Sequence, residues 1–459
     1  MRCFSFAAVC LALVLAACAV TPGAGAGAGG ADARRDDALT VDAGRLIVVT
    51  VDNSTQPFVS EPGSTPRGYA TSNLYSVGDL ARRVSAALAH DYRLQELREW
   101  PIAPLRVHCL VYAIPPGADR GDILRRLAAD QRVKLAQPMQ VFSALSDRGS
   151  SDRAAANTGG AVARGGSNSP YNDPYFALQH GFAEVDAADA QQWSRGEGVR
   201  VAIIDTGVAT SHPDLRGRVT IVRNFVDGDK AAFETDRHGT EVAGIIGADA
   251  NNGVGIVGIA PAVQLQVFKA CQPSQPAAMD ALCNSFTLAR ALGAAVDSHA
   301  QIVNLSLGGP ADPLLSQIVR YGVQHGILFV GAVPENGSLE GFPVNIDGVI
   351  AVDVIGRASG AAAVLHAPGR DIVSTAPGGS YDFVTGSSFA AAHVTGVLAL
   401  LHAQRPELGA DALSSLLTRT GTEQAGGFSI NACAALDALR STSGCRARGC
   451  TSSSCRASL

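Results

Sequence analysis

Asp205 closes the apolar run Val201-Ala-Ile-Ile-Asp205 and is followed by Thr206-Gly207. His238 sits in Arg237-His238-Gly239-Thr240-Glu241-Val-Ala-Gly244, and Ser388 in Gly386-Ser387-Ser388-Phe389-Ala-Ala-Ala-His393-Val-Thr-Gly396. A serine hydroxyl, whose pKa lies far above neutrality, attacks a carbonyl only when a base takes its proton. Imidazole is the side chain suited to that role near pH 7, and a carboxylate on its other nitrogen fixes the tautomer. The carboxylate, imidazole and hydroxyl come in that order, 33 and 150 residues apart. Any one segment is commonplace. Together they point to nucleophilic acyl transfer.

The surrounding pattern says what must hold these groups. From Tyr171 onward, apolar runs such as Val199-Arg-Val-Ala-Ile-Ile204 and Ile302-Val-Asn-Leu-Ser-Leu307 alternate with helical segments, the signature of a parallel sheet buried on both faces. Asp205 would then stand at the C-terminal end of a buried strand, where ligand crevices of such sheets form. Upstream, residues 45–145 alternate strand and helix: Arg45 to Val51 as a strand, Val77 to Tyr92 as a helix with Leu80, Val84 and Leu88 on one stripe, and Leu105 to Ile114 as a strand closed by Pro115-Pro116-Gly117. Asp122 to Val133 reads as a second helix and Leu135 to Leu145 as a final strand. A βα(ββ)αβ order of this length suggests a small ferredoxin-like α+β unit. Residues 146–170, rich in Gly, Ser, Ala and Asn, read as a linker and processing region, and 441–459 as a Ser/Arg/Cys-rich tail.

The chemistry-bearing segments resemble the subtilisin-like serine proteases, and the likeness runs beyond the three groups. Asn172-Asp173-Pro174 and Leu178-Gln179 look like that family's mature N-terminus, and Ser211-His212-Pro213-Asp214-Leu215 follows the Asp motif as it does there. Ser306-Leu307-Gly308-Gly309-Pro310 looks like the strand that pairs with substrate backbone. Ala367-Pro368-Gly369 and Ser374-Thr375-Ala376-Pro377-Gly378-Gly379 precede the serine as expected. The resemblance implies an α/β, three-layer, mainly parallel domain over 171–440 and a propeptide-like domain over 45–145 that inhibits intramolecularly until cleaved. It also implies that Asp205 orients His238, that His238 is the general base, that Ser388 is the nucleophile, and that Ser306, Leu307 and Gly308 bind polypeptide substrates. No cofactor is required for such chemistry. Structural Ca2+ is common in the family, but no ligand set in this sequence matches one, so the metal site is unknown.

The sequence departs from the family pattern at five positions. Ser387, Phe389 and Ala392 stand where the serine motif usually has Thr, Met and Pro, and Glu241 where the His motif usually has a second His. Ser387 is a neighbouring hydroxyl, but Ser388 keeps the expected offset to His393. The largest departure is Gly331-Ala-Val-Pro-Glu335-Asn336-Gly337, where the family carries the oxyanion-hole Asn. Without a gap that position falls on Glu335, and an ionised Glu only accepts hydrogen bonds. Three readings stay open: the loop shifts to present Asn336, Glu335 is protonated, or the enzyme is slow.

The remaining features bound the function. Met1-Arg2, the apolar stretch Phe4 to Ala16 and Leu15-Ala16-Ala17-Cys18 resemble a lipoprotein signal, with 1–17 removed, Cys18 lipidated and 18–44 a flexible tether. The alternative is an ordinary signal peptide with Cys18 incidental. The expected location is the bacterial envelope (periplasm, outer membrane or cell surface), with the membrane a partner through the lipid anchor. Lys+Arg 36 against Asp+Glu 41 leaves no basic surplus for nucleic acid. No apolar run after residue 20 is long enough to span a bilayer. Cys271 and Cys283 bracket a Pro/Gln-rich loop and form the expected local bridge, while Cys109 stands alone. Gly253-Val-Gly255-Ile-Val-Gly258 matches a dinucleotide pattern but follows a helix and reads as a loop. His393 reads as a packed helix residue. Two function classes follow: an exported serine endopeptidase that processes its own prodomain, or a catalytically impaired surface protein that binds peptides in the same cleft. An esterase of the α/β-hydrolase type fits less well, because Gly386-Ser-Ser-Phe-Ala390 is not GxSxG.

Overall fold

A computed structural model describes residues 39–40, 42–54, 76–145, 169–274, 280–357, 364–424 and 427–441. The signal and Cys18, the linker and most of the C-terminal tail lie outside the described residues. The upstream unit runs β1 (Leu46–Asp52), α1 (Asp79–Tyr92), β2 (Gln95–Ile102), β3 (Val107–Ala113), α2 (Arg120–Ala128) and β4 (Val133–Pro138). Its sheet is antiparallel in the order β2-β3-β1-β4. Residues of β1 alternate faces with the period of a strand. Ile47, Val49 and Val51 pack with Ala81, Leu88, Ile123 and Leu127 of α1 and α2. Leu46 and Val48 turn the other way, into the core of the downstream unit.

Three local expectations are corrected. The buried residues of α1 are Ala81, Ser85 and Leu88, while Leu80 is exposed, because the sheet meets the helix one residue further round. The second helix starts earlier than Asp122, since Asp119 caps it by accepting from the Asp122 N–H. It also ends before Val133, which begins β4. Leu39 and Ala43, within the stretch read as tether, are buried in the shared core, and Thr40 Oγ1 accepts from Asn284 Nδ2 at 3.1 Å.

The fourth difference matters most for function. The strand expected over Leu135–Leu145 is two strands in two sheets. After β4 the chain turns at Met139-Gln140, and β5 (Val141–Ala144) leaves the upstream sheet to join the downstream unit. There it lies antiparallel between β10 (Ala281–Asn284) and β12 (Leu307–Gly308), with β9 (Cys271–Pro273) beyond β10.

The downstream unit is built on a parallel sheet in the order β15-β14-β13-β11-β6-β8-β7. Its strands are β6 (Arg200–Asp205), β7 (Val219–Asn224), β8 (Gln264–Lys269), β11 (Ile302–Leu305), β13 (Leu328–Ala332), β14 (Val349–Val354) and β15 (Leu365–Ala367). Both faces are covered, as the near-continuous apolar runs require. Val201 and Ile203 pack with α3 (His238–Gly247) and α6 (Ser387–Gln404). Ala202 and Ile204 pack with α4 (Ser285–Asp297) and α5 (Pro313–Gln324). A further hairpin, β16 (Ile372–Ala376) with β17 (Ser380–Val384), lies beside α3. The outer face of the upstream sheet sits on α4 and α5, so one apolar core spans both units. Arg290 of α4 stacks there over Trp100, 4.6 Å from its centroid, and over Phe225 at 5.0 Å.

Candidate active site

Asp205 ends β6 and His238 begins α3, and close backbone packing brings them together. A Cβ on Gly239 would lie 2.5 Å from Gly207 O, so only glycine lets the helix start approach the strand end this closely. His238 Nδ1 stands 2.8 Å from Asp205 Oδ1 and 2.9 Å from Oδ2, which places the proton on Nδ1 and leaves Nε2 free to accept one. Oδ1 also accepts the Thr206 N–H at 2.6 Å. Burial pulls the His238 pKa down, but the Asp205 carboxylate, its hydrogen bond and the charge of Glu241 outweigh it and hold the imidazole above its ordinary value.

A buried ion pair braces the two elements from behind. Lys269, the last residue of β8, places Nζ 2.6 Å from Asp236 Oδ2 and 3.4 Å from Asp227. Asp236 Oδ2 accepts the Gly207 N–H at 2.7 Å as well. Removing one partner of such a pair would strand a buried charge. Glu241, in place of the usual His, is buried and stands 2.7 Å from Arg237 Nε, and Arg237 reaches Asp382 on β17 at 2.5 Å. Burial raises the Glu241 pKa, with Arg237 and His238 opposing.

Ser388 lies in the first turn of α6. Its Oγ is 2.7 Å from Leu145 O and 3.0 Å from Ser306 O, and its N–H donates to Leu145 O at 3.3 Å. His238 Nε2 makes no hydrogen bond among the described residues. Ser388, not Ser387, is therefore the hydroxyl facing the Leu145 carbonyl. A chain of fully buried groups holds that helix start. Thr395 Oγ1 donates to Asn304 Oδ1 at 2.9 Å, Asn304 Nδ2 to Ser306 Oγ at 2.8 Å, and Ser306 Oγ to Ser388 O at 3.0 Å.

The segment facing Ser388 is β5. Leu307 pairs with Ala144 and Gly308 with Ser143, and the Leu145 N–H donates to Ser306 O at 3.2 Å. Leu307 and Gly308, with the Ser306 carbonyl, thus meet an extended chain, and the chain is the protein's own. The Phe142 ring lies over Gly309, where a Cβ would come within 2.5 Å of it, and meets the Phe342 ring edge-on at 5.5 Å. The Leu145 side chain lies beside Gly308, where an added Cβ would come 3.1 Å from it. Phe142 to Leu145, β10 and Asn304 had been missed in the sequence. The available signal was an apolar alternation that ends at Leu145, immediately before the linker.

The loop expected to complete an oxyanion hole lies at the surface. Glu335 and Asn336 are exposed, and Asn336 Oδ1 accepts the Ser338 N–H at 3.1 Å within its own loop. No hydrogen bond joins Asn336 to Leu145 O among the described residues. His393 is a packed helix residue, as expected: its Nδ1 lies 2.8 Å from Phe389 O, and burial lowers its pKa to about 4. The Cys271–Cys283 disulfide is present and Cys109 is buried and free. Gly253 to Gly258 is a loop. Among the described residues no group of three or more His, Cys, Asp or Glu is placed to hold a metal ion.

Known proteins bear on this arrangement. The profile of the subtilase family, Peptidase S8, matches residues 196–433. Thermitase of Thermoactinomyces vulgaris is 34% identical over 244 residues, covering 51% of this chain and 85% of thermitase. Subtilisin DY of Bacillus licheniformis is 34% identical over 259 residues, 53% of this chain and 91% of that protein. A thermophilic serine proteinase of Bacillus sp. (strain AK1) is 36% identical over 245 residues, 51% of this chain, which spans 60% of that protein's length. Among solved structures, fervidolysin of Fervidobacterium pennivorans, a keratinolytic enzyme related to subtilisin, superposes with a TM-score of 0.60. It is 20% identical and covers 85% of this chain and 60% of its own, a likeness of fold.

Proposed function

The chain belongs to the subtilase family, and from that premise we propose that it is an exported serine endopeptidase acting through an acyl-enzyme on Ser388. We further propose that the first bond it cuts is its own, between Leu145 and Ser146. One observation carries the reading: β5 lies antiparallel between two strands with the Leu145 carbonyl against the Ser388 N–H and hydroxyl. Extended backbone pairing to a sheet edge is how a polypeptide substrate is recognised without regard to most of its side chains.

The reaction follows from the geometry. The Ser388 hydroxyl swings from Leu145 O and Ser306 O to His238 Nε2 and gives up its proton there. Oγ then bonds to the Leu145 carbonyl carbon, and the oxygen that becomes negative is held by the Ser388 N–H at the positive end of α6. Asp205 stabilises the imidazolium. Collapse breaks the bond to Ser146, whose leaving amine takes the proton from His238. Water, deprotonated by the same imidazole, then releases the Leu145 carboxylate and restores Ser388. Until it dissociates, the 45–145 unit blocks the cleft with its own cleaved end, which makes it an intramolecular inhibitor.

The test is intact mass on the full chain and on its Ser388→Ala version. Wild type is expected to split after Leu145 while the variant stays whole. If both stay whole although folded, the peptide-binding reading replaces this one. Export and anchoring rest on Met1 to Cys18. They predict incorporation of labelled fatty acid that Cys18→Ala abolishes; incorporation that survives this change rules the anchor out.

A further inference from the structure

Resting on the peptidase reading, we propose that the Cys271–Cys283 disulfide is a positioning device for extended substrates, holding β10 ready to receive the strand that precedes the scissile bond. The juxtaposition is direct. On one edge of β10, Cys283 stands opposite Phe142 and Leu282 opposite Ser143. On the other edge, Cys283 stands opposite Cys271, with Cα atoms 4.2 Å apart. One residue therefore faces the substrate-like strand and is covalently tied to the strand behind it. Both cysteines are buried.

The tie leads to the catalytic end of the sheet. β9 follows β8 after Ala270, whose N–H donates to Asp205 O at 2.8 Å and whose carbonyl accepts from Thr287 Oγ1 at 2.8 Å. At one end of β10, Asn284 caps α4 by accepting from the N–H groups of Phe286 and Thr287 at 3.0 Å. Its far end is joined to β9 through the Ser274 and Asp280 contacts. A two-stranded hairpin alone is marginal in water. An incoming strand gains affinity from such an edge only if the edge is already ordered, since ordering it on binding subtracts from the gain. The cross-link supplies that order at the residue opposite Phe142. It touches no atom involved in the chemistry, so its effect should fall on binding of long chains and spare turnover.

Two measurements on the full chain test this. In the Ser388→Ala background, which removes the chemistry, hydrogen exchange of residues 141–145 is compared with the cysteines intact and with Cys271→Ala/Cys283→Ala. Exchange there should quicken about tenfold, or ~1.4 kcal/mol, with β6, β11 and α6 unchanged. In the active enzyme the same pair of substitutions should raise KM about tenfold for a peptide carrying Phe-Ser-Ala-Leu before the cleaved bond. Its kcat should stay within about twofold, and a single-residue leucine amide should be unaffected. Unaltered exchange at 141–145 overturns the proposal. So does an equal rise across the parallel sheet, which would make the bridge a general brace. If the alanine pair fails to fold, Cys271→Val/Cys283→Ala and wild type reduced with a phosphine give the same comparison, and failure of all three overturns the proposal as well. If the exchange result holds but no peptide is cleaved, the peptidase reading fails and the positioning role survives.

Discussion

Asp205, His238 and Ser388 stand at the ends of elements buried on every side, whereas Glu335 and Asn336 ride an exposed loop. All ten residues of α3 are buried, and sixteen of the eighteen in α6. A changed side chain there must fit a packed interior, so the motifs around the triad stay readable even with Ser387, Phe389 and Glu241 in place of the usual residues. In the loop after Val333 both Glu335 and Asn336 are exposed, and an exposed position is less tightly bound to one side-chain shape. Dense packing preserves the positions of groups, while under the proposed mechanism the loop sets how well the serine is served.

The largest effect that would sharpen this contrast belongs to the buried side. Asp205→Asn keeps the shape but leaves His238 in the wrong tautomer, and self-cleavage measured by mass should slow by on the order of 10⁴. A change under tenfold would mean that the buried constellation is not the working one.

On the exposed side a gain is expected. Glu335→Asn puts a donor where the family has one and should raise kcat by on the order of 10², the size of a single oxyanion donor. In parallel, Asn336→Ala should cost less than about tenfold, since the structure leaves that residue bonded within its loop. A loss of 10² or more on Asn336→Ala would show the loop closing on substrate and dissolve the distinction.

Phe142→Ala removes a ring buried on Gly309 and Phe342, and processing at Leu145 should slow by about tenfold to a hundredfold, in line with the burial of one aromatic side chain. Unchanged processing would detach β5 from the site.

Glu241→Gln addresses the electrostatics between the two regions. Burial lowers the His238 pKa, and Asp205 and then Glu241 raise it. Taking away the Glu241 charge lowers it, so the base is free at lower pH and the acid limb of kcat/KM should move to lower pH. An unmoved limb would assign Glu241 to the Arg237–Asp382 network alone. The smallest effect is expected of Ser387→Ala, within about twofold, because among the described residues no hydrogen bond of that hydroxyl reaches Leu145 or His238. A larger loss would reopen the choice between the adjacent serines.

Much of this was legible in one dimension because local rules sufficed. Asp205, His238 and Ser388 were singled out from their strand-end and helix-start contexts, their order and the resemblance of their segments to a known family, the Cys271–Cys283 bridge from a short spacing, and the parallel sheet from apolar runs buried on both faces. Helix limits were missed by a few residues, because Asp119 and the registration of Ala81 against the sheet are settled by capping and packing. What no periodicity could reveal was the parting of β4 from β5. Residues 135–145 form one apolar alternation, and only the competition between two sheet edges, one in each unit, decides where it breaks. The same holds for the Thr395–Asn304–Ser306–Ser388 chain, whose two halves, at the end of β11 and on α6, lie far apart in sequence and meet because α6 packs across β11. Residue type and spacing therefore determined which chemistry was available. Long-range packing determined which carbonyl the serine faces, since backbone groups carry no sequence signature and are brought to a site only by the fold.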